Sequence, residues 1–436
     1  VEGFIYPNEI EINWGLFIVL YPYLTGLVAG AFIVSSLYHV FGVDKLKPVS
    51  RLALISALAV LLVAPLALIS HLGKPLRALN LMWTPNPTSA MAGFGYIYGF
   101  YLIIVLLEIW FMYRKDLVEW ASTKQGLMGK VYNILTLGAK DTSERALHTD
   151  HKVVTFLAIL GIPSAAFLHG YVGFIFGAIK ANPWWSTPLM PVIFLLSAIV
   201  SGVALLIVVY AVTCWIRKKK IDFDCLMAMN KYLWVFLIFA FVLEILEVIH
   251  MAYEAEEEWP AVKGLITSVI PFGYFVIQLG QMVGAFFLLL IARFESVPRK
   301  VRKVLTITSG VMILISVLAM RFNVVVGGQL VSKSLSGYSE FHWPLWHEGI
   351  IPTTGFLILP FVFLLVLVKL LPPWMAGEES VSEPRTRRAF GSDTVLQPAS
   401  SAEVDAPAVE GVWGWLSSTV SRSLSRIGIR GLWREE

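Results

Sequence analysis

GIPSAAFLHGYVGFIFGAIKANPWWSTPLMP, residues 161–191, starts as an apolar helix, encloses one histidine, and leaves through small residues into a polar, aromatic turn. An imidazole among apolar neighbours at membrane depth is costly unless it has a partner or a task. Lys180, Asn182, Pro183, Trp184 and Trp185 read as an interface anchor, in which lysine snorkels, indoles sit at headgroup level and proline stops the helix. His169 then lies about two to three helical turns below a membrane surface.

The surrounding sequence fits that reading. Of 436 residues, 57% are hydrophobic and 15% charged, against about 25% charged in soluble domains. This is the composition of an all-α polytopic membrane protein, and nothing in it points to nucleic acid. Cys214 and Cys225 are not in CxxC or CxxCH spacing, which argues against iron–sulfur, structural zinc or covalent haem. Residues 1–13 carry Glu2, Glu9 and Glu11 and lack the basic start of a cleavable signal.

A helix needs roughly 20 apolar residues to span a bilayer. Such runs occur at 14–41, 51–72, 89–113, 151–179, 189–216, 230–253, 264–293, 302–321 and 347–371, giving nine spans within a 1–371 membrane domain. Residues 322–346 leave room for a re-entrant piece or half of a tenth helix. Lys45, Lys47, Arg51, Arg114, Lys115, the 217–220 cluster and Arg293 to Lys303 fall in alternate loops, while Glu254, Glu256, Glu257 and Glu258 mark an opposite one. Basic loops stay cytoplasmic, so the amino terminus is predicted outside and the carboxyl terminus inside the cell membrane.

Gly26/Gly30, Gly95/Gly99, Gly173/Gly177 and Gly280/Gly284 have the four-residue spacing that lets helix backbones approach. Residues 114–150 read as a long loop with a weak apolar period lying along the membrane surface. Residues 372–410, rich in Pro, Ser, Glu and Ala, read as a disordered cytoplasmic linker. Residues 411–436 place apolar residues at helical spacing and repeat arginine at 422, 426, 430 and 434, an interfacial amphipathic helix suited to anionic lipid.

The intramembrane polar residues concentrate in the predicted outer half. His71 ends the second span inside HLGKPLR, with Arg77 just beyond, and Tyr171 follows His169. Glu244, Glu247 and His250 are three residues apart and climb one side of the sixth span. Carboxylates at this depth are protonated, paired with Arg321 or His250, or lining a wet cavity. Glu108, near the inner end of the third span, could pair with a loop lysine. Tyr21 and Tyr23 read as belt residues or as part of a site. His, Tyr, Arg and protonated Glu are the donors a quinone head group needs at its two oxygens. The same layout also suits a proton-coupled secondary transporter, or a haem b held by two of His71, His169 and His250.

HLGKP, HGYVGFIFGAIKANPWWSTPLMPVIFLLSAIVSG and RFNVVVGGQLVSKS resemble the NrfD family, the membrane subunits of polysulfide reductase-like respiratory complexes, and within it the DsrP and Hmc-type branch. The resemblance covers about residues 13–350. It implies two four-helix bundles plus an extra helix, menaquinone or another quinone bound near the outer face of the first bundle, and no redox centre in the chain itself. It also implies electron exchange with an extracytoplasmic ferredoxin-like iron–sulfur subunit, in sulfur or sulfite metabolism. In the DsrP branch a multihaem cytochrome c and a haem b membrane subunit with a cytoplasmic iron–sulfur partner complete the assembly. Carried over by motif, His71 and Arg77 border the quinone, with His169 and Tyr171 on the fourth helix. Some members place an Asn and a His at the start of the first span; here Asn13 is present and Phe17 stands where the His would be, with Tyr21 or Tyr23 as substitutes.

Overall fold

Hydrophobic runs too long for a soluble core become nine helices, among the described residues, that are long and apolar enough to cross a membrane. The computed structural model describes residues 2–84, 86–254 and 257–374, which belong to one compact unit. The first six spans are α1 (Leu16–His39), α2 (Lys47–His71), α3 (Ala90–Thr123), α5 (Glu144–Gly177), α6 (Met190–Ile216) and α7 (Phe223–Glu254), with the short helix α4 (Gly126–Leu135), too short to span, between α3 and α5. They are followed by α8 (Phe272–Ile291), α9 (Arg299–Leu330) and α10 (Ile350–Leu370). Apart from residues 372–374, the predicted linker 372–410 and the predicted helix 411–436 lie outside the described residues.

Helices α1, α2, α3 and α5 form one bundle and α6 to α9 a second, with α1 packed on α6 at the junction and α10 laid against α2. The junction is set by glycine. A Cβ on Gly202 would stand 2.3 Å from Gly30 Cα, so the two backbones touch. Helix α1 is accordingly the buried centre of the two bundles.

Several boundaries differ from the apolar runs. The 114–150 stretch is mostly helix: α3 continues to Thr123, α4 intervenes, and Ser143 caps α5 by accepting from the Ala146 amide. It is held to the bundle because Trp110 Nε1 donates to the Leu135 carbonyl at 2.9 Å and Tyr132 OH to that of Leu370 at 3.0 Å. Buried Arg114 donates from Nε to both oxygens of Asp150, at 2.9 and 2.8 Å. Residues 323–330 are neither re-entrant nor a tenth span. They prolong α9 through a π-helical turn, Asn323–Gly327, and a short turn, Gly328–Leu330. The seventh run breaks at Ile270 and Pro271 between two π-helical stretches, Leu265–Val269 and Phe272–Gly280.

Two of the four glycine pairs do not bring helix backbones together. A Cβ at Gly95 meets the Leu81 side chain, and one at Gly99 meets nothing nearer than Met82 Cε at 3.9 Å. At Gly280 the nearest atom is the Phe275 carbonyl of its own turn, and at Gly284 it is Met312 Cε. The tryptophan turn is also not an interface anchor. Trp184 and Trp185 are 9% and 4% exposed. Trp185 Nε1 donates to the Val324 carbonyl at 2.5 Å, Asn182 Nδ2 to that of Gly328 at 2.7 Å, and the Trp185 ring stacks on Trp14 at 5.3 Å. Buried carbonyls at the end of α9 satisfy the indole and the amide better than headgroups would.

Candidate functional site

Pro65 lies inside α2 and has no amide hydrogen, so the Leu61 carbonyl four residues earlier loses its helical partner. The Tyr98 hydroxyl of α3 donates to it instead. That bond fixes Tyr98 on the wall of a cavity of about 500 Å³ at the amino-terminal end of α1. The wall is apolar, supplied by Trp14, Ile18, Leu68, Ile69, Leu79, Met82, Met91, Phe94 and Phe176, with Tyr21, His71 and Tyr98 as its polar members. A mostly apolar hollow with a few placed polar groups is the usual build of a small-molecule site.

His71 is the last residue of α2, and its Nδ1 lies 2.9 and 2.8 Å from the two oxygens of Glu348. A carboxylate only accepts, so Nδ1 carries the proton. Nε2 is then the nitrogen available to a ligand, and it makes no hydrogen bond among the described residues. Tyr21 OH makes none either, while its ring meets Phe94 edge-on at 5.9 Å. No sequence signal marks Glu348; it lies 277 residues from His71, in the segment leading into α10.

The other predicted site residues do not line this cavity. Arg77 is exposed on the turn Pro75–Leu79, whose Ala78 and Leu79 do reach the cavity. Asn13 lines a second recess of about 280 Å³ on the extramembrane side, with Glu9, Glu11, Asn182, Gln329 and Lys333. Trp14 borders both hollows. Tyr23 is buried and turned toward the second bundle, donating to the Leu314 carbonyl at 3.2 Å. Neither Tyr21, 2% exposed, nor Tyr23, 7% exposed, is a belt residue. Tyr171 packs on Phe167 and Phe174, its hydroxyl filling the space above Gly93.

His169 is fully buried and faces the second bundle. Arg321 Nη2 lies 3.1 Å from its Nε2 and donates to Ser197 Oγ at 2.6 Å, while the guanidinium lies 3.8 Å from the Phe194 ring centroid. A guanidinium only donates, so His169 Nε2 is the acceptor. Gly26 leaves room for the ring, since a Cβ there would lie 3.1 Å from it. A second series of polar groups runs beside this one. Gln278 Nε2 donates to Glu244 Oε1, and Asn323 Nδ2 to Gln278 Oε1 at 2.6 Å. Both amides stand on π-helical turns, whose wider pitch is common at functional sites. Glu244 and Glu247 border a hollow of about 20 Å³.

Of the alternatives open for these carboxylates, direct pairing with Arg321, His250 or a loop lysine does not form. Glu244 hydrogen-bonds Gln278 rather than Arg321. His250 is exposed and faces Glu254 one turn on, at 3.5 Å, so it leaves the Glu244–Glu247 side of α7. Glu108 takes no loop lysine; it is fully buried and neither oxygen has a partner among the described residues. His71, His169 and His250 each meet a different partner, so they do not converge as paired ligands of one haem would. No group of three His, Cys, Asp or Glu side chains able to hold a metal occurs among the described residues.

Comparison with known proteins gives this geometry its context. The family model described as "Polysulphide reductase, NrfD" matches residues 7–333. A selenate reductase subunit of Mesobacillus selenatarsenatis is 35% identical over 204 residues, 46% of this chain and 48% of that one. The Hdr-like menaquinol oxidoreductase integral membrane subunit of Archaeoglobus fulgidus is 26% identical over 212 residues, 49% and 45% of the two chains. A polysulfide reductase chain of Wolinella succinogenes is 26% identical over 205 residues, 45% and 57%. The chain spans about half the length of the curated relatives it matches.

Proposed function

This chain belongs to the polysulphide reductase NrfD family, and on that premise we propose that it is the quinone-reactive membrane subunit of a respiratory redox complex. One observation carries the reading: the apolar cavity of about 500 Å³ is lined by His71, oriented by Glu348, and by Tyr21. A quinone head group fits the residues present, being an apolar ring that needs a donor at each carbonyl. Bound there, it supplies two-electron, two-proton redox chemistry. His71 Nε2 takes a proton from a quinol hydroxyl, or in the protonated ring gives one to a quinone carbonyl, while Glu348 keeps Nδ1 protonated and the imidazole aimed. Tyr21 OH holds the second oxygen. The wall from Ile18 to Phe176 keeps bulk water from the ring.

The substrate we assign is menaquinone, a reading supported by the menaquinol named in the Archaeoglobus relative. The electron partner is an extracytoplasmic ferredoxin-like iron–sulfur subunit. The recess around Asn13, separated from the cavity by Trp14, offers it a polar seat. The basic ends of α1, α3, α6 and α8 support a cytoplasmic position for the opposite face. The resemblance to the DsrP branch supports sulfur or sulfite metabolism as the setting, and the relatives from Wolinella and Mesobacillus belong by name to polysulfide and selenate reductases.

His71→Ala in the intact complex is expected to lower quinol-dependent electron transfer at least about 100-fold, the low end for a positioned acid–base group. The measurement is turnover with a soluble naphthoquinol, alongside its affinity. Unchanged turnover would remove His71 from the chemistry, and failure of the wild-type complex to bind the naphthoquinol would overturn the quinone reading.

A further inference from the structure

Between the cavity and the basic face, the first bundle buries polar atoms that bond to nothing among the described residues. Ser35 Oγ, His39 Nε2, Ser56 Oγ, Tyr101 OH, both oxygens of Glu108 and Tyr113 OH have no hydrogen-bond partner there. A buried polar atom left dry costs about 1–3 kcal/mol, and a carboxyl at membrane depth costs more. Side chains serving only as interhelical glue would bond one another. These do not, although they are grouped.

The grouping follows from helix geometry. Tyr98, Tyr101 and Glu108 lie within about 80° around α3 and span about 15 Å along it. The stripe begins at the cavity wall, because Tyr98 is part of that wall. Tyr101 meets Phe32 of α1 at 5.5 Å between ring centroids. Seven residues further along each helix, about 10 Å deeper, stand Glu108 and His39 at one level, with Ser35 just above His39. On α2, the Arg51 guanidinium lies 4.8 Å from the Tyr113 ring centroid and bonds Asp116 at 2.8 Å. Five residues from that contact, about 7.5 Å back toward the cavity, Ser56 and Glu108 again share a level. The charged and titratable groups near this level include His39, Arg51, Asp116, the buried Arg114–Asp150 pair and, on α5, His151, which is within electrostatic reach of His39. Polar walls supplying two to four partners are what hold internal water.

We propose that Glu108 is the proton-carrying station of a hydrated relay joining the cavity to the basic face. This rests on the cavity being the quinone site. Reduction of one quinone to quinol takes two electrons from the redox partner and two protons. The Glu108 carboxylate accepts each proton from the basic-face compartment, handed on through water at the level of His39 and Ser56 that is reprotonated from that compartment. It releases each through water to the Tyr101 hydroxyl, which accepts one proton and passes on its own toward Tyr98 and the cavity. Quinol oxidation runs the same transfers in reverse, and Glu108 ends each cycle unchanged.

The test uses the intact complex in proteoliposomes with a soluble naphthoquinone. Three quantities are followed: turnover, proton exchange with the basic-face compartment by a trapped pH dye, and the infrared band of the protonated carboxyl. Glu108→Gln is expected to keep naphthoquinone affinity, slow turnover about 100-fold, abolish the dye response and remove a carboxyl band that changes on quinone reduction. Glu108→Asp is expected to recover part of the turnover and part of the dye response. Full turnover with full dye response in Glu108→Gln would overturn the relay while leaving the quinone site standing. Absence of naphthoquinone binding to the wild type would overturn the site instead. Should Glu108→Gln not assemble, the wild-type carboxyl band decides: an exchange-insensitive band that ignores quinone reduction overturns the proposal, and slowed proton exchange in Tyr101→Phe supports it.

Discussion

Glu348 touches His71 with both oxygens and does so from a backbone at φ +51°. A side chain other than glycine or asparagine rarely rests there, and such strain persists where the surroundings over-determine it. The carboxylate fixes which ring nitrogen is free, as outer partners do for metal-bound imidazoles, where their loss costs about 10- to 100-fold. Glu348→Ala is therefore expected to lower quinone-linked turnover by about that factor with the fold intact. Glu348→Gln, keeping one acceptor oxygen, should recover part of it. Equal turnover in all three proteins would mean the pair only ties α10 to α2. The sequence marks His71 as a polar residue at a span end, but not its partner, because 277 residues separate them and no local pattern links a loop carboxylate to a helix end. His169 is a parallel case. Its depth is legible from apolar neighbours; that it serves Arg321, and not the cavity, depends on a contact across 152 residues.

At the scale of elements, length and apolarity alone locate the spans, since a helix in lipid needs no periodicity to be recognised. What small residues face is another matter. Gly30 and Gly99 sit in the same four-residue pattern, yet Gly30 abuts the backbone of α6 and Gly99 meets only the end of Met82 at 3.9 Å. Gly202, which the spacing does not single out, is the true counterpart of Gly30. Gly202→Ala would place a Cβ 2.3 Å from Gly30 Cα, and overpacking of this kind costs about 1–3 kcal/mol. Gly99→Ala makes only an ordinary contact with Met82 inside a helix and should gain about 0.5–1 kcal/mol. Thermal unfolding of the two purified variants in detergent checks the pair: a lowered midpoint for Gly202→Ala and an unchanged or raised one for Gly99→Ala. The reverse order would contradict the assigned junction. The π-helical turns are equally hidden, because a one-residue widening leaves hydropathy untouched while bringing Gln278 and Asn323 to 2.6 Å.

For the whole molecule, three segments distant in sequence close the face above the cavity. The strand β1 (Glu2–Gly3) pairs antiparallel with β2 (Gly337–Tyr338), Trp14 and Gln329 exchange hydrogen bonds at 3.0 and 2.9 Å, and Asn182 bonds the Gly328 carbonyl. Glu9 is the ionic centre of this clasp. Its carboxylate accepts from Ser332 Oγ at 2.6 Å and the Lys333 amide at 3.0 Å, with Lys333 Nζ 3.4 Å away. Burial works against the charged form, but these hydrogen bonds and the ammonium outweigh it and hold the pKa below the ordinary 4.5. The sign follows. A carboxyl with a depressed folded pKa contributes stability that is complete above its unfolded value and is lost as pH falls through the folded one. Amide hydrogen exchange in residues 332–339 should therefore be slow and pH-independent, after correction for intrinsic rates, above about pH 5. Protection should then drop as acidity passes below the ordinary carboxylate range. Glu9→Gln, which cannot ionise, should lack that step and show weaker protection throughout. A step of the same size at the same pH in both proteins would assign it to another carboxylate and leave Glu9 without a role in closing the face.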